Sequence, residues 1–375
     1  MKDDLVPPPT WVATPAALQE MVRHLGAQSR IAVDTESNSL YVYRERVCLI
    51  QCSTLEEDYL VDPLALADLS PLAPILADAG IEKVFHAAEY DLICLRRDFG
   101  FIIANLFDTM QAARILGYTA VGLDAMLTEK FGVVVNKRLQ KANWGARPLL
   151  PEMLHYARID TRYLLPLREI LYAELEQRDR WLLAREDFVR LAVVNKPKPK
   201  SNAPAWGRIA GGKNLSCREL TILSEMVACR ERIAKRLDRP PFRVMGNATL
   251  LAIVHAVPRS LDDLSAVGLT QKQMMYFGAS ILQAVQRGLE APLVQWPKCK
   301  RPEDAFHFRL DLLKSWRKRI AQKMGVESDI VLPPVYLCAI AEKYPRNEKE
   351  LAAIMLQSPW RLKHFGAQIL DLLKG

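Results

Sequence analysis

The 375-residue chain has no unbroken apolar run of about eighteen residues, so nothing in it reads as a membrane-spanning helix. It is poor in cysteine pattern as well. Cys48, Cys52, Cys94, Cys217, Cys229, Cys299 and Cys338 are scattered and odd in number, with no CxxC pair. That excludes a disulfide framework and a zinc site, and makes a reducing, cytoplasmic setting the expectation. The opening MKDDLVPPPT lacks the basic start and apolar stretch of a signal peptide. No GxxxxGK[ST] loop occurs, so no nucleotide-driven motor is expected. What the chain does have is bulk: half of its residues are apolar, which suits a sizeable core and excludes wholesale disorder.

Charge is unevenly placed. Residues 1–192 carry 21 Lys and Arg against 27 Asp and Glu, net −6, whereas residues 193–375 carry 30 against 16, net +14. A basic half behind an acidic half suggests that one part holds a polyanion while the other does something else. The acidic half alternates apolar strands (30–36, 46–54, 57–62 and 83–87) with helical stretches. One of these, around LADLSPLAPILAD, is punctuated by proline, and another, EYDLICLRRDFG, ends at Gly100. That alternation points to an α/β layer fold. From residue 109 onward the pattern is helical almost to the end. The stretch NKPKPKSNAPAWGRIAGGKN (195–214) has linker composition. Beyond it CRERIAKR (229–236) recurs as WRKRIAQK (316–323), an offset of 87. After one inserted residue, Phe277-Gly278-Ala279 recurs as Phe365-Gly366-Ala367. A helical segment appearing twice is a duplicated module, since a solenoid needs more copies.

Three acidic pieces stand out. Asp34 and Glu36 lie two apart at the end of an apolar strand, on one face. Asp91 falls early in the helix after the 83–87 strand. Tyr156 and Asp160 are four apart in HYARIDTRYLLPL and share a helix face. Carboxylates crowded together repel unless a cation neutralises them, and hard divalent cations prefer oxygen ligands. Four of them could hold two ions roughly 3.5–4 Å apart, the arrangement that clamps both oxygens of a phosphodiester under attack. His155 stands five residues before Asp160 and is the alternative partner, although i and i+5 share a face less closely. Further candidates for substrate contact are His86, just before the Asp91 helix, and Gln51 in the strand neighbouring Asp34. Trp144 and Arg147 join them from the basic segment KRLQKANWGARP (137–148), a mixture suited to backbone contact and base stacking on single strands.

The order D-x-E, D, Y-x-x-x-D resembles the Tyr-bearing branch of the DEDD exonuclease superfamily. VDTESNSLYVYRERVCLIQ, VFHAAEYDL and ANWGARPLLPEMLHYARIDTRYLLPL resemble the bacterial ribonuclease D family, and the duplicated module resembles the HRDC domain. The resemblance implies a ribonuclease-H-like exonuclease domain, a mixed sheet flanked by helices, over 1–194. It further implies a linker over 195–212, a first HRDC helical bundle over 213–292 and a second HRDC-like bundle over 303–375. It implies removal of nucleotides one at a time from RNA 3′ ends, tRNA precursors among them, with release of nucleoside 5′-monophosphates. Asp34, Glu36, Asp91 and Asp160 would hold two divalent ions, magnesium by default with manganese as a substitute, and Tyr156 rather than His155 would stand at the attacking water. RNA with a free 3′ end is the expected partner, and a monomer the expected state. The competing readings are a DNA 3′–5′ exonuclease of the same superfamily and a non-catalytic RNA-binding protein that keeps the fold.

Overall fold

The structure, a computed structural model, describes residues 8–193, 205–209, 214–296 and 304–374. Cys299 and, apart from 205–209, the linker over 195–212 lie outside the described residues. The chain divides into two compact units. The first takes the residues up to Ser37, those from Val47 through the α/β region, and those after Arg301. The second takes Asn38–Arg46 and Pro197–Lys300.

The first unit is built on one six-stranded sheet, of which the sequence reading found the four longer strands. β1 (Thr10–Val12) leads into α1 (Pro15–Gly26), which starts on the Thr14 cap with Pro15 in its first turn. Then come β2 (Arg30–Ser37), β3 (Val47–Ser53) and β4 (Asp58–Val61). The helix read through LADLSPLAPILAD is only a 3₁₀ turn (Ser70–Leu72) and the short α2 (Ala73–Ala77), because its two prolines break the ladder. β5 (Glu82–Phe85) leads into α3 (Glu89–Phe99), closed by Gly100 at φ 72°. β6 (Leu106–Asp108) precedes α4 (Thr109–Leu116) and α5 (Leu123–Phe131). Strand order is β1-β4-β3-β2-β5-β6, with β2–β3 and β3–β4 antiparallel and the other pairings parallel.

Period two sorts β2. Ile31 and Val33 enter the main core with Leu92 and Leu95 of α3. Ala32, Asp34 and Glu36 therefore take the opposite face, in register with Ser53, Gln51 and Leu49 of β3. The register slips at Glu36/Ser37, a bulge at the carboxylate end of the strand. Helix α6 (Pro151–Arg162) covers this face, followed by α7 (Leu164–Gln177) and α8 (Trp181–Val193).

The duplicated module is confirmed at every helix. In the second unit run α9 (Cys217–Leu237), α10 (Pro241–Val244), α11 (Asn247–Ala256), α12 (Leu261–Ala266) and α13 (Gln271–Glu290). Their counterparts are α14 (Asp304–Met324), α15 (Ser328–Val331), α16 (Pro334–Lys343), α17 (Glu348–Ile354) and α18 (Pro359–Lys374). The left-handed residues Asp238 and Val257 likewise recur as Gly325 and Tyr344.

The units depart from the expected domain bounds. Residues 205–209, read as linker, carry Trp206 and Ile209 into the core of the second unit. Residues 38–46, read as part of the α/β domain, belong to that unit too: the Tyr43 backbone N–H donates to Asp238 at 3.1 Å, and the Arg243 guanidinium lies 4.7 Å from the Tyr41 ring centre. The second copy of the module, read as a separate bundle, belongs to the same unit as the sheet. Fully buried Arg361 of α18 donates to Glu186 at 3.1 Å and Asp187 at 3.0 Å on α8. Ile330 joins the hydrophobic cluster of Phe107, Leu183 and Phe188.

Candidate active site

Two polar pins fix α6 on the sheet. The Ser53 hydroxyl donates to Thr161 at 2.7 Å, and the Arg158 guanidinium donates to the buried Asp58 carboxylate at 2.7 Å. Both sit on the strand face that carries Asp34, so the helix brings Tyr156 and Asp160, one turn apart, down onto the β2 acids. Oxygens of Asp34, Glu36 and Asp160 come within 4.8 Å of one another.

Asp91 reaches the same place from α3. It lies outside that tight group of three but is near enough to act on Asp34, Glu36 and Asp160 through its charge. Thr35, between the two β2 acids and on the other strand face, donates its hydroxyl to Asp91. The start of α3 is held from below. Asp108 accepts from the N–H groups of Ala87 at 3.2 Å and Ala88 at 2.8 Å, with Ala87 at φ 62°. The same carboxylate caps α4 by accepting from the Gln111 N–H at 2.9 Å.

The electrostatics follow from crowding. Burial, then Asp91, Asp160 and Glu36, push the Asp34 carboxyl well above the ordinary range. Glu36 is raised by burial and by Asp160 and Asp91. Burial lifts Asp91 to about 7 against the opposing Thr35 hydrogen bond, and lifts Asp160 to about 8 against the hydrogen bond from Tyr156. Among the described residues no lysine, arginine or histidine pairs with any of the four acids. Hard oxygen donors that raise one another's pKa and have no internal counter-charge fit a divalent cation. Tyr156 is pushed far up by burial and by Asp160, Glu36 and Asp34, against a hydrogen bond with Gln140, so its phenol keeps its proton. His155, one residue earlier, is exposed on the outer side of α6.

The candidate substrate contacts fare differently. Trp144 is fully buried, its ring centre 6.0 Å from that of Tyr156, and offers no face for a base to stack on. Arg147 is exposed, with its guanidinium held by several partners. It donates to both Asp62 oxygens at 2.7 and 2.8 Å, to Cys48 O at 2.7 Å and to Trp144 O at 2.8 Å. Trp144 therefore packs inside the loop before α6, and Arg147 is tied to that loop and to Asp62 while the residue stays exposed. Gln51 stands opposite Asp34 and is fully buried, and both its side-chain polar atoms lack a hydrogen-bond partner among the described residues. His86 shares a 2.9 Å hydrogen bond with Thr109, and burial lowers its pKa, so it stays neutral. Thr35, Asp108 and Gln140 were not foreseen. Of these only Asp108 left a sequence signal, an Asp at the cap position before the helical run from Thr109.

Comparison with known proteins agrees with the fold and the duplicated module. Residues 9–176 match the 3′–5′ exonuclease family, and residues 219–285 and 308–373 each match the HRDC domain. The chain is 31% identical to ribonuclease D of Escherichia coli over 282 residues, covering 75% of each. The crystal structure of E. coli RNase D, described as an exoribonuclease involved in structured RNA processing, superposes with a TM-score of 0.72 at 26% identity and 98% coverage of both chains. An RRP6-like protein of Arabidopsis thaliana is 44% identical over 178 residues, which is 47% of this chain and 19% of that much longer one.

Proposed function

The chain belongs to the ribonuclease D family of 3′–5′ exoribonucleases, and we propose that it trims RNA 3′ ends, tRNA precursors among them, by hydrolysis with two divalent ions. The observation that carries the proposal is the meeting of Asp34, Glu36 and Asp160 within 4.8 Å, with Asp91 and the Tyr156 phenol beside them. Asp34, Glu36 and Asp160 would hold one ion and Asp91, with Asp34, the other, magnesium first and manganese in its place. Bound there, the ions supply neutralisation of phosphoryl charge and a more acidic water.

The protein's own groups do the rest. The Tyr156 phenol, kept protonated, orients the attacking water and takes no proton from it. Water oxygen bonds to phosphorus, the P–O3′ bond breaks, the shortened RNA keeps its 3′-hydroxyl with a proton from solvent, and a nucleoside 5′-monophosphate leaves. The proposal keeps 1–194 as the catalytic domain, apart from residues 38–46, and places HRDC bundles at 213–292 and 303–375 in a cytoplasmic monomer. No helix among the described residues is long and apolar enough to cross a membrane.

The test is digestion of 5′-labelled RNA and DNA oligomers with free or phosphorylated 3′ ends, with magnesium or with EDTA. Stepwise shortening of free-ended RNA in magnesium only is expected. Cleavage indifferent to the 3′ block would mark an endonuclease, and a preference for DNA would replace the substrate class.

A further inference from the structure

Strand β3 reads Val-Cys-Leu-Ile-Gln-Cys-Ser and is buried along its whole length. Its one large polar side chain is Gln51, where an apolar residue would pack without loss. Of the buried groups left unpaired among the described residues, Gln51 is the one side chain with two such atoms, the amide nitrogen and the amide oxygen. Native folds rarely leave a buried amide unmatched, because its lost hydration is not returned. Gln51 also has a particular place. The strand register sets it directly across from Asp34, and antiparallel partners point to one face of the sheet. Its neighbours two residues away on β3 identify that face. Leu49 shares a hydrophobic cluster with Tyr156 and Ala157 of α6, and the Ser53 hydroxyl donates to Thr161 of the same helix. Gln51 stands between these two contacts, on the strip where α6 brings Asp160 down beside Asp34.

We infer that Gln51 is a positioning residue of the metal site: its amide N–H groups donate to the Asp34 carboxylate when that carboxylate holds a divalent ion. A carboxylate only accepts and the amide nitrogen carries two donors, so the groups match. Among the described residues no lysine, arginine or histidine pairs with Asp34. A cationic partner would compete with the ion for the same negative charge. A neutral amide fixes the carboxylate's orientation and leaves its charge to the ion. Carboxylates that ligate metals are oriented by such outer donors, and losing one weakens the metal about 10–100-fold. Contact with substrate is the other use of a polar side chain beside a site, but Gln51 is 0% exposed and has no surface for it. The inference rests on the divalent-ion reading of the four acids.

The experiment compares the full wild-type chain with Gln51→Leu and Gln51→Met. Magnesium affinity, by isothermal titration calorimetry, should fall about 10–100-fold in both. The melting temperature in EDTA should hold or rise, since apolar atoms replace an unmatched amide. Affinity for a labelled oligouridylate in EDTA, by fluorescence anisotropy, should be unaltered. In the wild type the Gln51 side-chain amide resonance, assigned by its absence from both variants, should shift and exchange more slowly with solvent when magnesium is added. Where one replacement packs poorly, the other and the wild-type resonance decide. Wild-type magnesium affinity in the variants, or a resonance that ignores saturating magnesium, overturns the inference. So does a loss of magnesium matched in both variants by a lower melting temperature in EDTA, the mark of a merely structural residue. Weaker RNA binding in EDTA would overturn it in favour of a substrate contact. A wild-type chain that takes up no magnesium would sink the divalent-ion reading together with the inference. Magnesium bound equally by wild type and variants would sink the assignment of Gln51 alone.

Discussion

Replacing Arg361 with methionine should unfasten the second helical module from the catalytic body. Arg361 is fully buried, with guanidinium contacts at 3.1 Å to Glu186, 3.0 Å to Asp187 and 2.7 Å to Ile330 O. Methionine fills much of the volume but strands two buried carboxylates and a carbonyl. Removing one partner of a buried pair costs about 3–5 kcal/mol. At about 2–4 °C per kcal/mol for a body of this size, the melting temperature should fall by about 6–20 °C. The loss should also depend on pH. Burial already raises Glu186 with Arg361 opposing, and without Arg361 it rises further. A carboxyl raised in the folded state contributes stability at low pH that is lost as pH rises through the shifted value. The gap between variant and wild type should therefore be narrower at pH 5 than at pH 8. The assay is differential scanning calorimetry across that range, with Glu186→Gln/Asp187→Asn added to the variant to recover part of the loss. A variant melting within about 2 °C of wild type, or a gap widening at low pH, would refute the reasoning.

Other outcomes follow from the same geometry. Trp144→Ala should lose about 3–5 kcal/mol of stability, read by urea unfolding, because a fully buried indole leaves a cavity; RNA affinity of the folded fraction should stay at the wild-type value. Magnesium binding at pH 7 should release protons, since Asp91 and Asp160 sit near 7 and 8 before metal enters; calorimetry in buffers of different ionisation enthalpy measures the release, and affinity should climb from pH 6 to pH 9. The metal-free protein should lose stability as pH rises from about 4 towards 8, the window between ordinary and raised carboxyl values, and magnesium should restore it. Tyr156→Phe should lower kcat on the order of 10²-fold while magnesium affinity, read by the same calorimetry, holds, and His155→Ala should leave kcat unaltered.

Much of the site was legible because its signals are local. Alternation along β2 put Asp34 and Glu36 on one face, and one helical turn put Tyr156 above Asp160 while turning His155 outward. The module's repeat was legible because a fixed offset needs no knowledge of contacts. β1 and β6 escaped notice because three residues at a sheet edge carry no period. The burial of Trp144 and the partners of Arg147 were not legible, because loop composition does not say which way a side chain turns: Asp62, which pairs with Arg147, lies 85 residues away in sequence. The Arg361 clamp joins residues 175 and 174 apart and replaces Gln273 of the first module, a pairing of distant charges that no local pattern reports.

The most direct measurement is paired: magnesium binding by calorimetry and single-turnover cleavage of free-ended RNA, each for wild type and Asp34→Asn. Asp34 is the acid whose pKa responds to all three others. Its amide should weaken magnesium binding and slow cleavage by more than about 10²-fold, because even groups that only support a metal ligand are worth 10–100-fold. An Asp34→Asn protein that binds magnesium and shortens RNA at the wild-type rate would contradict a metal-dependent site built on these acids.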